Sequence, residues 1–206
     1  MATKGYYEDY WQRDAPPPCA DPLAPVRLGL LRRELAPASR VLDVGCGAGD
    51  LVGALRRDGH EAVGMDVSER AVGLAAERNP GARFVWHSAE ELPWPVEPAG
   101  FDAVAAFEVV EHLLWPRRLL EGAAEALRPG GGLALTTPYH GLVKRLAVAA
   151  AAFDRHFDVE GDHIRFFSDR ALRRLLDETG FQVAHLRHYG RIWGLWAGVF
   201  VWALRR

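Results

Sequence analysis

The chain has 206 residues, 49% of them hydrophobic, with 25 basic and 27 acidic side chains, two cysteines and a formal net charge of −2. That length suits one α/β domain with a sizeable core and is short for two. Near-neutral charge argues against a general nucleic-acid-binding face, which needs clustered basic residues. Cys19 and Cys46 are too few for a disulfide scaffold and lack metal-finger spacing, which fits a reducing compartment.

The first 25 residues form an aromatic arm with Tyr6, Tyr7, Tyr10 and Trp11, followed by a Pro-rich linker from Ala15 to Pro25. The arm has no apolar signal core, which predicts a cytoplasmic protein. Residues 26–206 read as one domain that opens on a helix from Val26 to Leu35. From Arg40 onward β-branched apolar runs alternate with helix-period stretches, the pattern of βαβ units around a mostly parallel sheet. The predicted strands are Arg40 to Val44, Glu61 to Asp66, Arg83 to His87, Phe101 to Phe107, Gly132 to Thr137, Phe181 to His188 and Trp196 to Leu204. Helices fall at Asp50 to Asp58, Ser68 to Arg78, Pro116 to Leu127 and Ser168 to Thr179.

Two stretches depart from a plain dinucleotide fold. The segment from Tyr139 to His163 is too long for a strand-to-helix loop and carries an alanine-rich helix, Leu142 to Phe153, with Lys144, Arg145 and Arg155 nearby. An insertion at the carboxyl end of a strand is where substrate lids are built. Packing on its own domain is preferred to membrane contact for this basic helix. The last two strands have no long helix between them, which predicts an antiparallel edge pair. Their apolar run from Ile192 to Leu204 is 13 residues, whereas a bilayer span needs roughly 20.

The strongest chemical signal is Val41-Leu42-Asp43-Val44-Gly45-Cys46-Gly47-Ala48-Gly49-Asp50, a strand running into a glycine turn that opens a helix. Glycines let the backbone approach a ligand closely. Asp66 lies 23 residues after Asp43 and ends the second strand, where a carboxylate accepts bonds from two ribose hydroxyls. The spacing Gly45-x-Gly47-x-Gly49 lacks the third glycine of a dinucleotide fingerprint, which weakens a pyrophosphate reading. Further on, Glu108, Glu111 and His112 share one face if they form a helical turn. Two carboxylates and an imidazole suit Mg²⁺, Mn²⁺ or Zn²⁺.

These residues resemble the class I S-adenosylmethionine-dependent methyltransferases, over nearly the whole chain. Asp43 to Gly49 looks like their first motif, Gly64-Met65-Asp66-Val67-Ser68 like the second, and Leu127-Arg128-Pro129-Gly130-Gly131-Gly132 like the turn before strand five. The resemblance implies a Rossmann-like seven-stranded, mostly parallel sheet with helices on both faces and a reversed last strand. It also implies that Gly45, Cys46, Gly47 and Gly49 pack against the methionyl part of the cofactor. Asp66 would hold the ribose, Val67 would lie along the adenine, and Ser88, Ala89 and Glu90 would cover its edge. Ser88 stands where an aspartate is common.

Phe107-Glu108-Val109-Val110-Glu111-His112-Leu113 looks like the fourth motif of the ubiquinone-biosynthesis O-methyltransferases. In that type, Arg27 would meet the cofactor carboxylate, Phe107 would touch the cofactor, and Glu108, Glu111 and His112 would bind a divalent cation. Small-RNA 2′-O-methyltransferases share the Glu-x-x-Glu-His pattern and add a later histidine, which His163 resembles. Many metal-free methyltransferases carry a similar Glu-His pair that braces the loop. Without a metal, His163 or His140 is the candidate general base. The arm with Tyr6, Tyr7, Tyr10 and Trp11 resembles the aromatic N-terminal cover of small-molecule methyltransferases and would close over cofactor and substrate.

The expected function is methyl transfer from S-adenosylmethionine to a small molecule, most naturally to oxygen. Methylation of an RNA terminal ribose is the enzymatic alternative, disfavoured by the acidic balance. The glycine spacing argues against a nicotinamide oxidoreductase, and the intact Asp43, Asp66, Glu111 and His112 argue against an inactive cofactor-binding interaction module.

Overall fold

The structure is a computed structural model that describes residues 2–12, 21–139, 141, 146, 164–192 and 195–206. The β-branched runs become strands β1 (Arg40–Val44), β2 (Glu61–Asp66), β3 (Arg83–Trp86), β4 (Phe101–Phe107), β5 (Leu127–Pro138), β6 (Phe181–Ile192) and β7 (Leu195–Arg205). They form one sheet in the order β3-β2-β1-β4-β5-β7-β6. The pairs β1–β2, β1–β4, β2–β3 and β4–β5 are parallel, whereas β7 runs antiparallel to both β5 and β6. The reversed last strand is therefore wedged into the sheet, and β6 takes the edge.

The helices are α1 (Ala2–Gln12), α2 (Ala24–Arg32), α3 (Asp50–Arg57), α4 (Glu69–Arg78), α5 (Pro116–Ala126) and α6 (Asp169–Glu178). Their starts follow local chemistry. Ser68 and Ser168 each accept a bond from the backbone N–H three residues on, capping α4 and α6, and proline in the first turn opens α2 and α5. The expected linker thus ends earlier than Pro25, because Ala24 and Pro25 already belong to α2.

Burial divides the core between the two faces of the sheet. Leu119, Leu120 and Ala123 of α5 and Leu172 and Leu176 of α6 pack with Val104, Leu133 and Leu135 on one face. Leu31 of α2 and Val52 and Leu55 of α3 pack with Val41, Ala105, Phe200 and Tyr189 on the other. All of these positions are buried, so the strands read as continuous apolar runs rather than alternating ones.

The strand ends differ from the sequence expectation where pairing extends them. β5 starts at Leu127 because that residue pairs with Phe101 across an irregularity in register. β6 continues to Ile192 because Arg191 and Ile192 pair with Trp196 and Leu195. The apolar tail is β7, and no helix among the described residues is long and apolar enough to cross a membrane. Most of the expected insertion from Tyr139 to His163, including the helix Leu142 to Phe153, lies outside the described residues.

Candidate active site

The carboxyl ends of β1, β2 and β4 meet at the glycine turn. Gly45 and Cys46 donate their N–H groups to the Met65 carbonyl at 2.8 and 3.1 Å, which folds the turn back over β2. Gly45 has φ 75°, and a β-carbon there would come within 2.5 Å of Val109 Cγ2. The turn therefore packs directly on the loop that follows β4. Gly47 has φ 50°, and a β-carbon there would sit 3.1 Å from the Trp11 ring. Gly49 lies beyond the contact surface and serves as the left-handed N-cap of α3, with φ 80°.

Asp66 ends β2 almost buried, at 8% exposure. Its Oδ2 accepts from Gly47 N–H and its Oδ1 from Ser68 N–H, each at 2.9 Å. Burial raises its pKa, opposed by those backbone donors. Asp43 is more isolated: its Oδ2 is buried without a hydrogen-bond partner. Burial, with the charges of Asp66 and Asp50 adding to it, pushes this carboxyl up to about 8. Cys46 is buried as well, and desolvation pushes its thiol up.

Two hollows flank the turn. A cavity of about 250 Å³ has Asp66, Val67, Ser88, Ala89 and Glu90 on one wall and Glu108, Val109 and His112 on the other, roofed by Tyr7, Tyr10 and Trp11 of α1. A second groove is lined by Arg27, Asp43, Cys46, Phe107 and Asp21. Gly45, Gly47 and Trp11 border both. Of the expected cofactor-binding residues, only Gly49 borders neither.

The roof is held by named contacts. Glu8 Oε2 accepts from Ser68 Oγ at 2.9 Å and from Glu69 N–H at 3.1 Å, so a carboxylate from α1 sits on the N-terminus of α4. Tyr7 meets the His112 ring edge to face at 5.8 Å. Tyr7 belongs to the aromatic arm that the sequence marks as a cover, whereas Glu8 is singled out by no sequence motif.

The expected cation set needs a correction. The residues after β4 do not make one helical turn, because Glu108 takes φ 55° and a short 3-10 helix starts only at Val110–His112. Glu108 turns back to the sheet, where its Oε1 accepts from Thr136 Oγ1 at 2.7 Å and from Tyr189 OH at 3.0 Å, with Arg27 Nη1 at 3.7 Å. Glu111 is fully buried, its Oε1 4.0 Å from His112 Nε2. Among the described residues, no three His, Cys, Asp or Glu side chains group as a metal site. His140 and His163 lie outside the described residues.

Arg27 is buried beneath the second groove, where it forms an ion pair with Asp21 and comes within 3.5 Å of Tyr189 OH. Tyr189, on β6, is nearly buried, and its hydroxyl is pushed up to about 12 by burial and by the Glu108 charge. Sequence reasoning misses Tyr189 and Thr136, since their relation to Glu108 is made only by the sheet order. It also misses Asp21, which pairs locally with Arg27 but belongs to no motif.

The glycine turn and the acidic end of β2 thus border the same cavity, in a seven-stranded α/β sheet with a reversed last strand. A methyltransferase-domain family model matches residues 11–186. The chain belongs to that family. It is 35% identical over 133 residues to the ubiquinone biosynthesis O-methyltransferase of Xanthomonas campestris pv. campestris (strain B100), covering 62% of this chain and 55% of that one. The same-named protein of Aromatoleum aromaticum is 31% identical over 169 residues, covering 79% and 72%. The chain thus spans about half the length of the Xanthomonas relative. Among solved structures, the magnesium protoporphyrin IX methyltransferase of Synechocystis PCC 6803 with bound SAH has a TM-score of 0.67 at 21% identity, covering 90% and 82%. A SAM-dependent methyltransferase from Methanosarcina mazei has a TM-score of 0.67 at 22% identity, covering 85% and 96%.

Proposed function

We propose that this chain transfers the methyl group of S-adenosylmethionine to a hydroxyl oxygen of a small molecule. The observation that carries this reading is the pair of hollows joined at Gly45 and Gly47, one ending at Asp66 and the other at the unpartnered Asp43. Asp66, already fixed by two backbone donors, takes the ribose hydroxyls, and Val67, Ser88, Ala89 and Glu90 enclose the adenine. In the second groove, the buried Asp43 oxygen suits an ammonium group. Arg27, which there already pairs with the Asp21 carboxylate, suits the amino-acid carboxylate. Tyr10, Trp11 and Phe107 exclude water from the junction.

The cofactor supplies a sulfonium methyl, an electrophile that needs alignment more than activation. The chain holds the acceptor oxygen in line and receives its proton as the carbon–oxygen bond forms and the carbon–sulfur bond breaks. His112, on the cavity wall opposite Asp66, is placed to take that proton, with the buried Glu111 as counter-charge. His140 and His163 are the alternative bases. We assign no cation to Glu108, Glu111 and His112, because Glu108 is engaged by Thr136, Tyr189 and Arg27. The relatives named ubiquinone biosynthesis O-methyltransferase favour oxygen as the accepting atom.

Transfer of a tritiated methyl from S-adenosylmethionine to a panel of hydroxylated aromatics and matched amines tests the proposal. Labelling of phenolic acceptors that survives EDTA and falls sharply in His112→Gln is expected. Labelling confined to amines would overturn the oxygen assignment, and loss of activity in EDTA that returns with Mg²⁺ would reinstate the cation.

A further inference from the structure

The short 3-10 helix at Val110–His112 carries His112 on the cavity wall, yet it is too short to satisfy its own carbonyls. The Glu111 carbonyl, and those of Leu113 and Leu114 just beyond the helix, are taken by a segment more than fifty residues later. Ile164 and Arg165 donate their backbone N–H groups to the Glu111 carbonyl at 3.1 and 3.0 Å. The Arg165 guanidinium then reaches past them: Nε donates to the Leu113 carbonyl at 2.7 Å, and Nη2 donates to the Leu114 carbonyl.

A guanidinium presents its donors in a rigid planar fork, so one side chain can fix two successive carbonyls in direction as well as distance. Lysine has the charge without the fork. The carbonyls before and after His112 are thus bound on one side by the 164–165 segment, while Tyr7 abuts the imidazole from the other.

We propose that Arg165 is a positioning residue for methyl transfer, holding the Glu111–Leu114 loop so that the His112 ring stands at the cavity wall. Arg165 touches neither hollow itself. It acts through the loop that carries His112. The inference rests on the methyltransferase reading for its consequence, whereas its structural content stands on the loop alone.

The test uses the full chain with ¹³C-labelled histidine, the His112 ring resonance being assigned by its disappearance in His112→Gln. Titration with S-adenosylhomocysteine then runs in parallel by calorimetry. Arg165→Ala should displace or broaden the His112 resonance, both before and after S-adenosylhomocysteine is added, while its affinity changes by less than about threefold, as expected of separate sites. Arg165→Lys should also displace the resonance, since charge alone does not restore the fork. A wild-type His112 resonance in either variant would overturn the proposal. If Arg165→Ala does not fold, Arg165→Lys decides the matter by the same criterion. Failure of the wild-type chain to bind S-adenosylhomocysteine would instead count against the methyltransferase reading and leave the loop comparison intact.

Discussion

The two walls of the cavity are built in different ways. On the Asp66 side, positions are set by backbone groups of two adjacent strands, within about 20 residues of each other: Gly47 and Ser68 N–H on Asp66, and Gly45 and Cys46 N–H on Met65. On the Glu108 side they are set by side chains from far along the chain. Tyr189 is 81 residues from Glu108, and Arg165 is 52 from Leu113. A wall made of backbone is rigid and tolerates little change in residue type. A wall made of distant side chains can be retuned one residue at a time, which suits the half that meets the acceptor.

The sharpest way to break this contrast is Asp66→Ala. It strips two backbone N–H groups of their partner and removes the ribose acceptor, so S-adenosylhomocysteine affinity should fall by about a hundredfold or more, at roughly 1.5–3 kcal/mol for each hydrogen bond to a charged group. Retained affinity by calorimetry would show that the Asp66 wall does not hold the nucleoside.

Asp43 gives the next largest effect, and its sign follows from burial. Its carboxyl is pushed up from 3.8 to about 8 in the folded chain. Below the unfolded value both states are protonated and stability is full. As pH rises from about 4 to about 8, the unfolded chain ionises while the native one resists, and stability is lost. Asp43→Asn escapes this loss. By scanning calorimetry its melting temperature should exceed that of the wild type by several degrees at pH 8 and by little at pH 4. A gap that does not widen with pH would contradict the assignment.

Tyr189→Phe should cost about 1 kcal/mol, the net worth of a typical hydrogen bond, read as a drop of roughly 2–4 °C for a domain of this size. It should leave S-adenosylhomocysteine affinity unchanged. A loss of cofactor affinity equal to that of an Asp66 variant would erase the distinction between the walls. Glu8→Gln should be smallest, speeding S-adenosylhomocysteine release by two- to tenfold in stopped-flow fluorescence, about what one charge-assisted contact at a helix N-terminus is worth.

The same contrast explains what the sequence could reveal. The Asp66 side is local, so strand, glycine turn and acidic strand end can be read in order from Val41 to Asp66, and the reversed strand follows from the missing helix between β6 and β7. The Glu108 side is not local. Its spacing suggests a cation set, but the positive φ of Glu108 turns its carboxylate toward Thr136 and Tyr189, residues placed beside it only by β5 and β6. Nothing near Glu108 announces that turn, because a left-handed glutamate is a consequence of tertiary bonds rather than of propensity. Arg165 is hidden for the same reason, since its partners are backbone carbonyls of no particular sequence.

The most direct test of the central claim is calorimetric titration of the wild-type chain and of Asp66→Ala with S-adenosylhomocysteine, with NADH as the control. Saturable binding of S-adenosylhomocysteine by the wild type, lost in Asp66→Ala and absent for NADH, is the predicted result. Binding of NADH without S-adenosylhomocysteine, or binding of S-adenosylhomocysteine that survives Asp66→Ala undiminished, would contradict it.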